Sequence, residues 1–311
     1  MFPSDAAEEM DGIVSGVLDK TSSSTVDAGD LRILNTYGDW GYTRGCRSHS
    51  CWGSYVAAPV KTLSTRRTDY NGAKIAQVVG SIDFLLCAYL PSETGKLRWL
   101  NFGIPGVVIS GTGVNEYGTI VSIHDSPETG AGPPVGPNVL TRSLASRLMM
   151  TLSHLPSDSS RQLDFAYHTL QPFKSWTGSF LNYYAPEGSG GVITSDPTQG
   201  FHLLRKPQAS YFGGEVLVTS NQQTNGSVVP SDFTAIDAYY RGAKPKTLTD
   251  HWGALDLVDI DVGAQMMSVA YRNRGDMTLW ARGRLLGTKT TPKIVIEWSD
   301  LFGGKNRRIV R

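Results

Sequence analysis

The chain has few of the features that mark the common metal-binding and disulfide-rich classes. Its 311 residues include three cysteines, at positions 46, 51 and 87, and no Cys-x-x-Cys pair. Three irregularly spaced thiols exclude a disulfide framework, make a poor zinc site and favour a reducing compartment. The six histidines contain no His-x-x-x-His pair. We therefore expect neither a metal site nor a cofactor.

Long apolar runs and an excess of one charge are also missing. The run from Phe84 to Leu90 is far shorter than the roughly 20 residues of a membrane-spanning helix. The first residues, Met1 to Asp5, lack the basic and then apolar pattern of an export signal. The 29 basic and 28 acidic residues are scattered and leave a net charge of +1. We expect a soluble, cytoplasmic protein that binds neither nucleic acid nor a membrane.

The composition of the chain changes near residue 51. Residues 1–50 are rich in Ser, Thr, Asp and Gly, with helical periodicity only from Asp11 to Leu18. This pattern predicts a leader that lies outside the core. From residue 51 onward, short runs of β-branched and aromatic residues indicate strands. Residues 51–311 are the predicted domain, which could form a homo-oligomer.

Helices interrupt these strands in the middle of the chain. One is predicted from Asn138 to Leu155, with Asn138 as its N-cap, and a second from about Ser159 to Pro172. A tight turn from Asn273 to Asp276 joins two late strands. Runs of strands followed by runs of helices favour an α+β fold. We predict two antiparallel sheets between helical layers, a four-layer αββα sandwich.

The most informative segment surrounds Cys51. The sequence Ser50-Cys51-Trp52-Gly53-Ser54-Tyr55-Val56-Ala57 precedes Ser64-Thr65-Arg66-Arg67-Thr68-Asp69-Tyr70, and the two segments read as strands of one hairpin. They resemble the N-terminal-nucleophile cysteine hydrolases: penicillin V acylase, bile salt hydrolase and the acyl-coenzyme A:6-aminopenicillanic acid acyltransferases. In that family a nucleophilic Cys begins one strand, and an Arg-x-x-Asp motif lies on the next.

Further segments resemble the same family in the same order. Gly113-Val114-Asn115-Glu116-Tyr117-Gly118 is similar to its Gly-x-Asn-Glu-x-Gly turn, and Val218-Thr219-Ser220-Asn221 to its strand that ends in a catalytic-site Asn. The pair of segments 268–271 and 279–280 resembles its closing hairpin. The resemblance covers residues 51–311 and implies that the chain removes its own leader before Cys51.

The chemistry of these residue types agrees with the resemblance. A free thiol is mostly protonated at neutral pH, so Cys51 needs a base and a nearby cation. Arg66 would supply the cation. Once the preceding peptide bond is cut, the α-amine of Cys51 would be the base, with a pKa of about 7.7 to 8.0. Asp69 would orient that amine, and Asn221 with backbone N–H groups would stabilise the oxyanion.

One position departs from the family pattern. Asp125 stands where the family often has an Asn that donates to the oxyanion, and an ionised carboxylate cannot donate. Either the backbone N–H of Asp125 serves alone, or His124 contributes to the site. A third interpretation makes Asp125 the cap of the following loop.

Simpler interpretations remain open for the other residues. Cys51 could be a buried structural thiol, and Cys46 is a rival nucleophile. Arg66 and Asp69 could form an ordinary cross-strand pair, and Asn115 with Glu116 more often shapes a turn. The predicted substrate is a small-molecule acyl amide or acyl thioester, and hydrolysis and acyl transfer stay open. The alternative is an unprocessed protein that keeps this fold and only binds a ligand or partner.

Overall fold

Two antiparallel sheets make up about half of the described chain. The computed structural model describes residues 4–21, 27, 29–31, 52–57, 62–69, 85–103, 112–125, 136, 138–152, 156, 161–176, 178–186, 190–205, 216–220, 249, 252–253, 264–284 and 293–303. The helices are α1 Ser4–Thr21, α2 Arg142–Thr151, α3 Gln162–Leu170 and α4 Trp298–Phe302. No helix within these ranges is both long enough and apolar enough to cross a bilayer.

Fifteen strands lie within the described ranges. They are β1 Trp52–Ala57, β2 Thr62–Asp69, β3 Leu85–Tyr89, β4 Trp99–Gly103, β5 Thr112–Asn115, β6 Ile120–Asp125, β7 Val139–Leu140, β8 Lys174–Ser175, β9 Ser179–Tyr184, β10 Gly190–Asp196, β11 Gly200–Arg205, β12 Val216–Ser220, β13 Ala264–Asn273, β14 Asp276–Arg284 and β15 Ile294–Glu297. The predicted tight turn is confirmed, because β13 pairs with β14 up to Asn273 and Asp276.

The strands form one six-stranded and one seven-stranded sheet. The six-stranded sheet has the order β12-β1-β2-β13-β14-β15, and the seven-stranded sheet has the order β11-β10-β9-β6-β5-β4-β3. All neighbouring strands in both sheets are antiparallel. Strands β7 and β8 form a separate parallel pair. The predicted α+β class with antiparallel sheets is therefore confirmed.

The two sheets pack face to face around an apolar core. Successive side chains of a strand point to opposite faces, so every second residue enters this core. The seven-stranded sheet contributes Val114, Ile120 and Phe180, and the six-stranded sheet contributes Val269 and Leu279. Each is at most 2% exposed. Burial of one such side chain contributes roughly 1.5 to 3 kcal/mol to folding, so this layer is a main source of stability.

Helices α2 and α3 cover the other face of the seven-stranded sheet. Val121 and Leu181, which alternate with the core residues of their strands, pack with Leu144 and Met149 of α2 and with α3. On the far side of the six-stranded sheet, the ring of Trp252 contacts the ring of Trp280 edge to face, with centroids 6.0 Å apart. The described residues thus form three layers, with Trp252 against the outer face of the six-stranded sheet.

The start of α2 differs from the prediction. The N-cap is Thr141, whose hydroxyl accepts from the backbone N–H of Leu144 at 3.3 Å. Asn138 lies before β7, and its carbonyl accepts from the N–H of Lys174. The expected cap at Asn138 is wrong because residues 139 and 140 pair with β8 instead of continuing a helix. The sequence also predicts a helix near residues 232–241 and a strand near residues 74–79, and both segments lie outside the described residues.

Candidate functional site at the open end of the two sheets

One end of the sandwich is closed by contacts between two turns. The N–H of Gly275 donates to the carbonyl of Glu116 at 2.9 Å. The buried carboxylate of Glu116 accepts from Arg98 Nε at 2.8 Å and from Arg274 Nη2 at 2.9 Å. The guanidinium of Arg274 lies 4.3 Å from the centroid of the Tyr117 ring. These contacts join the β5–β6 turn of one sheet to the β13–β14 turn of the other.

Asn115 also serves this closed end. Its side-chain Oδ1 accepts from the backbone N–H groups of Tyr117 at 3.1 Å and Thr119 at 3.2 Å. Asn115 is fully buried and Glu116 is 4% exposed. The contacts of both residues therefore shape the turn and hold the two sheets together, as the simpler interpretation of this motif expects.

The opposite end of both sheets, which we call the open end, contains one end of each of the strands β1, β2, β6 and β12. Strand β1 begins there with Trp52, which pairs with Ser220 at the end of β12 and with Arg67 near the end of β2. In the other sheet, β6 runs from the closed end and finishes at Asp125, opposite Ser179. The direction of these strands thus brings β1, β2, β6 and β12 together at one end of the sandwich.

The predicted site residues fall at this end or next to it in the chain. Arg66 pairs with Gly53 on one side and with Met267 on the other. Asp69 is the last residue of β2 and pairs with Ala264. Cys51, Asn221 and the rival Cys46 lie outside the described residues. Their roles, like those of Arg66, Asp69 and Asp125, stay predictions.

The seven-stranded sheet presents polar side chains toward the other sheet near the open end. One row of paired residues contains Thr112, Ser122 and Asn182, and the next row contains His124 and Thr194 on either side of Phe180. We call these five residues the polar cluster. All are at most 5% exposed. Alternation places them on the same face as Val114 and Ile120, which are apolar and lie nearer the closed end.

The polar cluster is only partly paired within the described chain. Asn182 Nδ2 donates to Ser122 Oγ at 2.9 Å. No described residue pairs with Asn182 Oδ1 or Thr194 Oγ1. A buried polar group without a partner costs about 1 to 3 kcal/mol, so such groups in a native fold call for a reason. A ligand bound between the sheets would supply one.

Of this cluster, sequence reasoning named only His124, although a signal for other members is present. In β6, residues Ile120, Val121 and Ile123 are apolar, while Ser122 and His124 occupy every second position. In β9, Asn182 stands within an aromatic strand. A polar residue at a core-facing position of an apolar strand marks either a structural network or a site. Groups of three His, Cys, Asp or Glu side chains able to hold a metal do not occur among the described residues.

The one cysteine within the described ranges has an unreactive environment. Cys87 of β3 is half-buried. Burial raises the pKa of its thiol above the usual value, and the negative charge of Glu9 raises this pKa further. A thiol with a raised pKa is almost fully protonated at neutral pH and is a poor nucleophile. Cys87 is therefore a suitable internal standard for the reactivity of the other two cysteines.

Comparisons with known proteins found similarity only among solved structures. No protein-family model and no curated protein matches the chain. The Caenorhabditis elegans ortholog of N-acylethanolamine-hydrolyzing acid amidase is similar with 11% identity and a TM-score of 0.49, over 71% of this chain and 92% of that chain. A variant of conjugated bile acid hydrolase from Clostridium perfringens is similar with 10% identity and a TM-score of 0.48, over 80% of this chain and 93% of that chain. Function is therefore inferred from the chain's own residues and strand pairing.

Proposed function

We propose that the open end holds the active centre of a self-processing cysteine amidohydrolase, with Cys51 as nucleophile. The pairing of Trp52 with both Ser220 and Arg67 carries this proposal. This pairing holds Trp52 and Ser220, which precede or follow Cys51 and Asn221 in the chain, beside the end of β2. Strand β2 contains Arg66 and Asp69. Residues 1–50 are the leader, residues 51–311 are the catalytic domain, and the proposed fold is the four-layer αββα sandwich.

The register of the six-stranded sheet supports this arrangement. In our proposal the pairing of β1 with its neighbours continues for two residues beyond Trp52. At the first of these, Cys51 lies opposite Asn221 on one side and Thr68 on the other. One residue further, Ser50 lies opposite Asp69. The bond to be cut, between residues 50 and 51, is then next to the Asp69 position. Consecutive Cα atoms are 3.8 Å apart, so the chain cannot carry Cys51 far from Trp52.

Alternation along the strands gives the face on which the site would lie. Residues 51 and 53 share a face when β1 is continued by regular alternation, and Gly53 pairs with Arg66. Arg66 also pairs with Met267, two residues from the buried Val269 of the core between the sheets. The Cys51 position and the Arg66 position therefore share the face that looks toward the polar cluster of the other sheet.

The proposed reaction uses the same thiol twice. In the first step, Cys51 Sγ loses its proton to a base and attacks the Ser50 carbonyl carbon. The C–N bond breaks as the amine of Cys51 takes a proton, and water then hydrolyses the thioester to release the leader as a carboxylic acid. In the second step, the free α-amine takes the Cys51 thiol proton, and the thiolate attacks the substrate carbonyl.

The substrate's leaving group, an amine from an acyl amide or a thiol from an acyl thioester, departs with the proton from the α-ammonium and leaves an acyl-thioester on Cys51. The acyl group then leaves the enzyme in one of two ways. Water releases the acid, or an acceptor amine takes the acyl group. In the tetrahedral intermediate, Asn221 donates to the oxyanion, a contact whose loss in other enzymes costs roughly 2.7 to 4 kcal/mol. The substrate is a small acyl amide or acyl thioester, and the mechanism uses no cofactor.

The polar cluster and Asp125 complete the proposal. Asn182 and Thr194 offer hydrogen-bond partners to the polar part of a substrate that enters between the sheets. An ionised Asp125 carboxylate can accept hydrogen bonds but cannot donate them, so in our proposal it orients a neighbouring donor and Asn221 donates to the oxyanion. A backbone N–H donor at Asp125 and a contribution from His124 are the other assignments compatible with its place at the end of β6.

Thiol labelling tests the assignment of the nucleophile. We expect iodoacetamide to modify Cys51 of the purified protein rapidly at pH 7, because a neighbouring cation favours the thiolate. Cys87 should react slowly at pH 7 and faster only at alkaline pH, because burial and Glu9 raise the pKa of its thiol. Mass spectrometry of tryptic peptides over a pH series measures both rates, and Cys46 is followed in the same samples.

The replacement Arg66→Gln provides the matched comparison. It should slow the labelling of Cys51 at pH 7 at least several-fold while the rate at Cys87 stays unchanged. Equal labelling rates at Cys51 and Cys87 would contradict the proposal, and selective labelling of Cys46 would transfer the nucleophile to that residue.

A further inference from the structure

Among the described residues, Glu9 of helix α1 makes hydrogen bonds to β3 and α2. Glu9 Oε1 accepts from the hydroxyl of Tyr89 at 2.7 Å, and Glu9 Oε2 accepts from Arg147 Nη1 at 3.0 Å. The side chain of Arg147 is 4% exposed and that of Glu9 is 26% exposed. Charge-assisted hydrogen bonds of this kind are about twice as strong as neutral ones. The contact thus joins the N-terminal region to β3 and α2.

The apolar side of the same helix has a different partner. Met10 is fully buried and packs with Leu31, and Ile13 and Val14 lie against this pair. Leu31 belongs to the N-terminal region itself. Among the described residues, apolar burial therefore organises the N-terminal region internally, whereas Glu9 makes the polar contact with the sheets and helices.

Arg147 lies on an aromatic wall. The rings of Tyr89 and Trp99 are stacked, with centroids 4.0 Å apart and planes 5° from parallel. The Arg147 guanidinium carbon lies 5.6 Å from the centroid of the Tyr89 ring and 5.3 Å from that of the Trp99 ring. The two distances are similar, so the cation lies beside the stacked pair and not over the face of one ring. Its Nη1 and the Tyr89 hydroxyl each meet one oxygen of the Glu9 carboxylate. This geometry is preorganised for an anion with two oxygens.

The wall borders a cleft that is larger than the Glu9 side chain requires. The cleft has a volume of about 470 Å³ and is lined by Glu9, Tyr89, Leu97, Trp99, Arg147 and Thr151 among others. Cavities of about 300 to 1,000 Å³ accommodate small ligands. Trp99 packs in the core on the helix side of the seven-stranded sheet. The cleft is therefore separate from the space between the two sheets.

We propose that this cleft is a carboxylate-binding site and that Glu9 is its intramolecular occupant. Its ligands are small carboxylates with an apolar part, which would lie against the Tyr89 and Trp99 rings while the oxygens meet Arg147 and the Tyr89 hydroxyl. A tethered group has an effective concentration in the millimolar range, so a free carboxylate displaces Glu9 only at comparable or higher concentration. Such a ligand releases α1 from the body, that is, from the two sheets with α2 and α3.

Chemical rescue tests the proposal in the full chain. Thermal unfolding is measured in the unprocessed Cys51→Ala background, for that chain alone and for its combinations with Glu9→Ala and Glu8→Ala, with sodium propionate or sodium chloride at equal ionic strength. Glu8 is the matched control, because it is the neighbouring acidic residue and is exposed. We expect Glu9→Ala to unfold a few degrees lower in chloride, and propionate to restore most of this loss with a saturating dose response. Propionate should change the other two proteins no more than chloride does.

A second measurement covers the possibility that Glu9→Ala does not fold. In the Cys51→Ala chain with Glu9 intact, saturating propionate should accelerate amide hydrogen exchange in α1 at least several-fold and leave exchange in α3 unchanged. Equal propionate shifts in all three proteins, or none in the Glu9→Ala combination, would overturn the proposal. Unchanged exchange in α1 of the Cys51→Ala chain at high propionate would also overturn it.

Discussion

Replacing Cys51 by alanine should leave the chain at its full length of 311 residues and abolish amide hydrolysis. In the proposed mechanism the thiol attacks both the Ser50 carbonyl and the substrate carbonyl, so its removal should eliminate both reactions. In other enzymes, loss of the nucleophile reduces kcat by about 10⁶-fold, and we expect a loss on the order of 10⁴-fold or more. Intact mass after long incubation measures processing, and product formation from a panel of N-acyl amides measures hydrolysis.

Two further variants make this result specific. Cys87→Ala removes a half-buried thiol whose pKa is raised, and it should retain processing and activity. Cys46→Ala should also retain both and thereby exclude the rival nucleophile. Normal release of the leader by Cys51→Ala would refute the assignment.

Replacing Gly118 by alanine should strongly destabilise the protein. Gly118 has φ of +74°, and a Cβ at this position would lie 2.1 Å from Cδ2 of Tyr271. A left-handed conformation costs a residue with a Cβ about 1 to 2 kcal/mol, and overpacking adds about 1 to 3 kcal/mol. We expect the free energy of unfolding to fall by about 2 to 5 kcal/mol, measured by urea denaturation.

Gly95 supplies the control for this prediction. It has φ of +87°, and no atom of the described chain lies within 4 Å of its hypothetical Cβ. Gly95→Ala should therefore carry the backbone cost alone, about 1 to 2 kcal/mol. In a Tyr271→Ala background, the cost of Gly118→Ala should fall to the same level. Equal losses for Gly118→Ala and Gly95→Ala in the wild-type background would show that the Tyr271 contact contributes nothing.

Local patterns predicted much of the fold. The turn from Asn273 to Asp276 and the helix around residues 142–151 follow from turn residues and apolar spacing that act over short distances. The N-cap of α2 was mistaken because the pairing of residues 139 and 140 with residues 174 and 175 is a long-range contact. A local capping preference cannot reveal that competing strand pair.

The candidate site also combines a part that local patterns predict with a part that depends on long-range contacts. The hairpin of β1 and β2 was predicted from adjacent segments, and the structure pairs them with Gly53 opposite Arg66. The placement of β12 beside β1 joins segments more than 150 residues apart, so the sequence could indicate it only through the family resemblance. The polar cluster and the Glu9 contact with Arg147 depend on which elements face each other, and strand pairing and helix packing decide that.

The closed end shows what the Asn115-Glu116 motif does in the fold. Both residues belong to the segment that resembles the family's Gly-x-Asn-Glu-x-Gly turn. In the structure, Glu116 accepts from Arg98 and Arg274, and Asn115 holds the turn at the end of the sheets away from β1. A motif that accompanies a site can therefore stabilise the scaffold at a distance from the chemistry.

The N-terminal sequence and intact mass of the purified wild-type protein test the central claim most directly. We predict a large fragment that begins Cys51-Trp52-Gly53, because the thiol of Cys51 cuts the bond before it. A chain that stays at full length under all conditions, or a new terminus at any other residue, would contradict this account. The first of these results would favour the unprocessed ligand-binding alternative, since the α-amine base would then not exist.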